Sequence, residues 1–289
     1  MEIRVLRYFL MVAREENITR AAELLHITQP TLSRQLMQLE EELNTKLFNR
    51  GKNKFSLTDD GMLLKQRAQE IVELADKTER DFLRPEENTL AGEIAIGCGE
   101  TRNIDFLSQK IIQFREKYPL VKYYIHSANA DDIKDKIENG LIDIGLLIEP
   151  VDIGKYEFVR IPQKEYWGML VRQDSSLAKK EFITPEDLIG VPIMTGRREK
   201  TLNEFANWCG KYYDKMNIIA MHNLYLNAVI MVKNNLGAFL GLDFDNLYKD
   251  LTFVPLEPKI EMGLLMVWKR NKTFSPAVNK FIDFLKHAD

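Results

Sequence analysis

Apolar and polar positions divide the chain into three regions with different periods. In the first sixty residues Val5, Leu6, Phe9, Leu10 and Ala13 fall on one face of a predicted helix. Asn17 and Thr19 supply cap chemistry for a short second helix carrying Ala21, Ala22, Leu24 and Leu25, whose small residues permit close approach. "HIT" makes a tight connection. Thr28 then suits the N-cap of a third helix, and Pro30 falls in its first turn, where a missing N–H costs nothing. Leu32, Leu36, Leu39 and Leu43 form its buried stripe. Pro30, Ser33, Arg34 and Met37 point away from that stripe, and Gln29 sits at the tip. The acids Glu40, Glu41 and Glu42 gather at the far end.

"LFNRGKNKFSLT" follows. Its apolar flanks Leu47, Phe48, Phe55 and Leu57 and its basic centre Arg50, Lys52 and Lys54 predict a short β-hairpin. Beyond Asp59 the period changes. Leu64, Ala68, Ile71, Ala75, Thr78 and Phe82 recur at spacings of four, three, four, three and four, a heptad seam on one long helix. A narrow stripe with little of its own domain to cover it implies a partner helix, most simply a second copy. Arg84 and Pro85 break the pattern.

The remaining two hundred residues alternate strands with helices. "GEIAIGCGE", "VKYYIHS" and "DIGLLIE" read as strands, separated by helices over 104–117 and in "DDIKDKIENG". After Ile161–Pro162 the alternation resumes with "YWGMLV", a helix begun at Pro185, "VPIMT", a helix near 202–209, "NIIAM" and a helix near 224–235. "GAFLGL", "LTFVPL" and "EMGLLMVWK" follow, and a last helix starts at Ser275–Pro276. Such alternation predicts a parallel α/β sheet in two lobes of similar size, with crossovers near 160 and 260.

Composition narrows the function classes. With 289 residues the chain is too long for one ordinary core. Its formal net charge of -3 supplies no global pull toward nucleic acid or membrane, so any basic footprint is local. Cys98 and Cys209 match no metal or redox spacing and read as free thiols. Arg4, Arg7 and Arg14 interrupt the apolar start at helical spacing, which reads as an amphipathic helix rather than an export signal. A cytoplasmic location is expected, and no cofactor or metal is implied.

Two short helices joined by a tight turn, the second polar at its outward N-terminus, make a helix-turn-helix. Glutamine pairs with adenine, arginine with guanine, and a threonine methyl with that of thymine. Thr28, Ser33 and the helix N-terminus suit phosphate oxygens. The segment from Phe9 to Gly61 resembles the winged helix-turn-helix of LysR-type transcriptional regulators, position by position and without a gap. The match includes the AA pair, the Gln-Pro and Leu-Ser/Arg positions of the third helix, and the wing. The resemblance implies DNA contact by Thr19, Thr28, Gln29, Pro30, Thr31, Ser33, Arg34, Arg50, Lys52 and Lys54, and the seam residues as a dimer interface. Asn44 replaces the usual glycine, and Asn tolerates the left-handed conformation. "GKNK" lacks the usual wing glycine.

The expected architecture is α/β overall. It comprises an all-α winged helix-turn-helix over 1–58, a dimerising linker helix over 59–88, and a two-lobe domain over 89–289. Lobe I takes about 89–161 and 261–289, and lobe II about 162–260. The resemblance implies a domain like periplasmic binding proteins, with a small-molecule effector in the cleft and a homodimer or homotetramer acting on double-stranded DNA with a two-fold symmetric site. Ligands of open α/β sheets sit beyond the carboxyl ends of strands. That rule selects Gly99, Glu100, Thr101, Ser127, Ala128 and Asn129 in lobe I. In lobe II it selects Thr195, Gly196, Arg197, His222 and Asn223. Glu100 suits a ligand amine or repels an anion, whereas Arg197 with Arg198 suits a carboxylate, and these opposed cues leave the ligand open. The competing reading is an enzyme using Cys98 as nucleophile, His126 as base and Glu100 as orienter. It lacks a nucleophile elbow, a phosphate loop or metal spacing. A solute-binding protein has no use for the first sixty residues.

Overall fold

A computed structural model describes residues 1–50, 55–82, 90–243 and 248–287. The chain separates into two compact units, Met1–Leu83 and Arg84–Asp289.

The first unit contains α1 (Ile3–Glu15), α2 (Ile18–Leu24), α3 (Gln29–Glu42), β1 (Phe48–Arg50), β2 (Phe55–Leu57) and α4 (Asp59–Phe82). Its core joins Leu6, Phe9 and Val12 of α1 to Leu32, Leu36 and Leu39 of α3, all fully buried. Leu43, the fourth residue of that stripe, is exposed at the helix end. Asn17 caps α2 by accepting from the N–H groups of Thr19 and Arg20. Thr28 caps α3 by accepting from Thr31 N. Asn44 takes a φ of +50°, so it serves as the glycine of the family pattern would. Residues 51–54, including Lys52 and Lys54, lie outside the described residues, as does the side chain of Arg50.

Two contacts lock α3 to the start of the hairpin. Glu40 is 2% exposed, and its Oε1 accepts from the N–H groups of Leu47 and Phe48 at 2.9 and 3.3 Å. One member of the acidic cluster is thus a structural strut rather than solvated surface. Thr58 donates its N–H to Leu47 O at 3.0 Å and its hydroxyl to Lys46 O at 2.6 Å, which brings α4 against β1. A Cβ at Gly61 would lie 2.1 Å from Leu47 O, so this approach requires glycine.

The structure divides the predicted seam of α4. Leu64 and Ala68, together with Val72, pack into the core of the first unit, and Ala68 is fully buried. Arg7 of α1 pairs with Asp76 of α4 on the same side. Leu64 and Ala68 are therefore spent within the chain, because α1 lies along that face of the helix. Ile71, Leu74, Thr78 and Phe82 remain exposed, with Phe82 at 73%.

The second unit is built on one mixed sheet in the order β4-β3-β5-β11-β6-β9-β7-β8, with β10 paired to β6. The strands are β3 (Ala91–Cys98), β4 (Leu120–Ser127), β5 (Ile144–Ile148), β6 (Tyr156–Arg172), β7 (Pro192–Gly196), β8 (Asn217–His222), β9 (Ala238–Leu242), β10 (Leu251–Pro255) and β11 (Glu261–Lys269). The helices are α5 (Ile104–Lys117), α6 (Ala130–Glu138), α7 (Glu199–Cys209), α8 (Tyr225–Lys233) and α9 (Pro276–Lys286).

The expectation of a parallel sheet holds only inside each lobe, for β3 with β4 and β5 and for β7 with β8 and β9. β6 and β11 cross between the lobes and pair antiparallel with their neighbours. β6 runs unbroken through Pro162, where the sequence suggested a boundary. The proline is tolerated because Pro162 and Gln163 have no partners in the register, which shifts between Gly263 and Leu264. The helix expected at Pro185 is a single 3-10 turn, Pro185–Leu188, closed by reciprocal bonds of Thr184 and Asp187. Each lobe buries apolar layers on both sheet faces, around Phe114 and Phe281, then Ile133 and Leu265, in lobe I. Phe205 and Phe239 anchor the corresponding layers of lobe II.

Candidate functional site

Two sites emerge, one in each unit. At the N-terminus of α3, Thr28, Gln29, Pro30 and Arg34 are exposed, while Thr31 and Ser33 are half-buried. The exposed edge exists because the leucine stripe faces inward at helical spacing. The Thr28 hydroxyl is committed to the cap and lies 2.9 Å from that of Thr31, so these two are pre-organised rather than free. Thr19 is exposed at the start of α2 with its N–H bound to Asn17. Arg34 makes no ion pair among the described residues. The tip therefore offers a glutamine amide, a guanidinium and a helix N-terminus to an anionic, donor- and acceptor-rich partner.

In the second unit a cavity of about 120 Å³ lies between the lobes at the carboxyl ends of β3, β7 and β8. Its volume suits a molecule of about one small ring, since an engineered cavity of about 150 Å³ holds benzene. Gly99, Glu100, Thr101, Ala128, Asn129, Gly196, Arg197, His222 and Asn223 line it. Ser127 and Thr195 do not. Ser127 is in register with Cys98 and shares its face of the sheet. Thr195 shares a face with Ile193, and its hydroxyl is buried inside the lobe without a hydrogen-bond partner among the described residues.

Arg198, expected beside Arg197, also lines the cavity, and lining groups that sequence reasoning missed include Trp167, Leu240, Leu242, Met262, Thr201 and Tyr225. Trp167 and Met262 come from the crossing strands β6 and β11, and Leu240 and Leu242 from β9, all placed by sheet order. No local pattern marks them.

Several contacts span the cleft. Arg198, which precedes α7, donates from Nε and Nη2 to both carboxylate oxygens of Asp131 in α6, at 3.0 and 3.2 Å. This arginine, with Lys134, holds the Asp131 carboxyl below its ordinary range. Tyr225 N, in the first turn of α8, donates to Glu100 Oε2 at 3.1 Å. At the hinge Arg102 lies 3.8 Å from Glu165 of β6 and 3.7 Å from Asp243 beyond β9. Glu165 is fully buried, accepts from Asn103 Nδ2, and is pushed above the usual carboxylate range by its burial. Burial lowers the pKa of His222, which keeps its ring neutral at pH 7.

The geometry argues against the nucleophile reading. Burial and the Glu100 charge raise the Cys98 pKa, which favours the inert thiol. His126 is in register with Gly97, so Cys98 and His126 project from opposite faces of the sheet. Cys209 is also buried and is raised to about 12.

Among the described residues no helix is long and apolar enough to cross a membrane. Comparison with known proteins agrees with the two-part layout. The model of bacterial regulatory helix-turn-helix proteins of the lysR family matches residues 3–62, and that of the LysR substrate binding domain matches residues 87–289. The chain is 30% identical to the HTH-type transcriptional regulator AlsR of Bacillus subtilis over 281 residues, 93% of this chain and 85% of AlsR. It is 29% identical to the uncharacterized regulator YvbU of the same organism over 195 residues, 67% of this chain and 65% of YvbU. Its fold is that of full-length CbnR, solved with its target DNA, at a TM-score of 0.76 and 19% identity, covering 99% of both chains. The chain belongs to the LysR family of transcriptional regulators, with the family's helix-turn-helix at its N-terminus and its substrate-binding domain behind it.

Proposed function

We propose that the α3 edge reads base pairs in the major groove and that the inter-lobe cavity binds the small molecule controlling that reading. The observation that carries the first part is the Gln29–Arg34 edge, with Gln29, Pro30 and Arg34 exposed, above the buried Leu32, Leu36 and Leu39. Gln29 and Arg34 read base edges. Thr28, Thr31 and Ser33, with the helix N-terminus, hold phosphates. Thr19, Arg50, Lys52 and Lys54 add backbone contacts from α2 and the wing.

One head contacts few bases, and two heads read a two-fold symmetric site. The exposed face of α4, with Ile71, Leu74, Thr78 and Phe82, joins two chains. Further exposed apolar residues on α5 and β4 (Ile112, Leu120, Tyr124) and on β8 and α8 (Met221, Leu226, Ile230) offer a second contact, which supports a homotetramer. The cytoplasm is the compartment that fits this activity. The effector enters between Glu100, Thr101 and Asn129 of one lobe and Gly196, Arg197 and His222 of the other. It shifts the balance of lobe arrangements and so the spacing of paired heads.

The test is titration of labelled duplex from the chromosomal region beside the gene. Gln29→Ala and Arg34→Ala should each weaken binding by about 1–3 kcal/mol, roughly 5- to 150-fold. Parental affinity in both variants would refute the reading.

A further inference from the structure

The cleft contains two anions that belong to the protein itself. Glu100 stands at the end of β3 in lobe I, and its carboxylate receives the Tyr225 N–H in the first turn of α8 in lobe II. That position, at the positive end of a nine-residue helix, ordinarily favours a bound anion. Asp131 stands in the first turn of α6 in lobe I, and its two oxygens receive the Arg198 guanidinium of lobe II. Two anion-receiving groups of lobe II are therefore each occupied from lobe I. Both bonds span the cleft, so both resist separation of the lobes.

We propose that Glu100 and Asp131 are tethered counter-ions that latch the two lobes together, and that a carboxylate entering the cavity acts by replacing them at Tyr225 N and Arg198. This rests on reading the cavity as the effector site. A tethered carboxylate acts at a high effective concentration, so an outside anion binds more weakly than the exposed donors alone would allow. Replacing Glu100 frees the α8 N-terminus for an outside ligand, and replacing Asp131 frees Arg198. A charge-assisted bond at a helix N-terminus corresponds to a gain of between about 2-fold and 30-fold in affinity for a small carboxylate.

Hydrogen exchange of the Tyr225 amide in the full-length protein reads the first latch directly. In the parent this amide should be protected and indifferent to acetate. In Glu100→Ala it should exchange faster, and a graded sodium acetate series should restore protection, whereas sodium chloride at matched ionic strength should not. Adding Asp131→Asn should shift the acetate midpoint lower again by a similar factor. Glu100→Gln, which keeps an uncharged acceptor, should give intermediate protection without acetate and guards against a local packing defect in the alanine variant. Equal exchange of the Tyr225 amide in the parent and Glu100→Ala would overturn the proposal. So would failure of acetate to slow exchange in that variant. Promoter binding measured on the same samples separates the two claims. Loss of DNA recognition by the parent sinks the regulator reading, whereas the exchange data test the latch alone.

Discussion

Glu40 offers the sharpest test of how the first unit holds its reading edge. Its carboxylate is buried and accepts from two backbone N–H groups, those of Leu47 and Phe48, which are 0% and 4% exposed. Glu40→Ala removes the acceptor and admits no bulk water in its place. Leaving a buried donor unsatisfied costs about 1–3 kcal/mol. Two such donors give about 2–6 kcal/mol. The Lys46 ion pair adds little, because its ammonium is 77% exposed. A domain stable by about 5–15 kcal/mol loses much of its margin to a change of that size. Urea unfolding followed by far-UV circular dichroism measures the effect. The head transition should move to markedly lower denaturant with the slope unchanged. Glu40→Gln keeps one acceptor oxygen and should lose only about 1 kcal/mol. If Glu40→Ala unfolds within about 0.5 kcal/mol of the parent, the strut is not a strut, and the acidic cluster is only a solvated helix end.

Five further outcomes follow from particular contacts. Gly61→Ala drives a Cβ to 2.1 Å from Leu47 O and should destabilise the head by about 1–3 kcal/mol, read in the same urea transition. Leu74→Asp should leave the unfolding of the head unchanged but shift sedimentation equilibrium toward smaller species. Ala68→Asp should instead unfold the head, because Ala68 is wholly enclosed. Cys98 and Cys209 should resist a thiol reagent at pH 8 until denaturant is added, since both thiols are raised by burial. Stoichiometric labelling of the native protein would contradict that. The Asp131 pKa is lowered in the fold, so its pairing stabilises above an ordinary aspartate's 3.8 and is lost as pH falls below it. The melting-temperature gap between the parent and Arg198→Gln should therefore be open at pH 6 and close on acidification.

The sequence was most readable where geometry is local. The leucine stripe of α3 fixed its buried side, and with it the outward edge. Asn17, Thr28 and Ser275 fixed helix starts. The strand-end rule found nine residues that line the cavity, because that rule depends only on where a strand stops. It failed at Thr195, whose side chain strand alternation turns onto a packed face, and at Ser127, which is exposed but lies outside the cavity lining. The α4 seam misled for a different reason. A heptad marks which residues want burial, but not whether the partner is another copy or α1 of the same chain. Trp167 and Met262 carried no signal, because they reach the cavity only through the antiparallel crossings of β6 and β11, and Leu240 because β9 is brought beside β6 only by the sheet order. The bonds of Glu100 and Asp131 across the cleft were equally invisible, because each joins residues far apart in sequence.

The central claim is that the Gln29–Arg34 edge reads DNA sequence. Its most direct test is selection of binding sites by the full-length protein from a pool of random duplexes, run beside Arg34→Ala and Gln29→Ala. The account predicts enrichment of a two-fold symmetric motif by the parent. It also predicts that the base preference at one position of each half-site relaxes in each variant, while weak salt-dependent binding to any duplex persists. Recovery of the same motif, equally enriched by the parent and both variants, would contradict it.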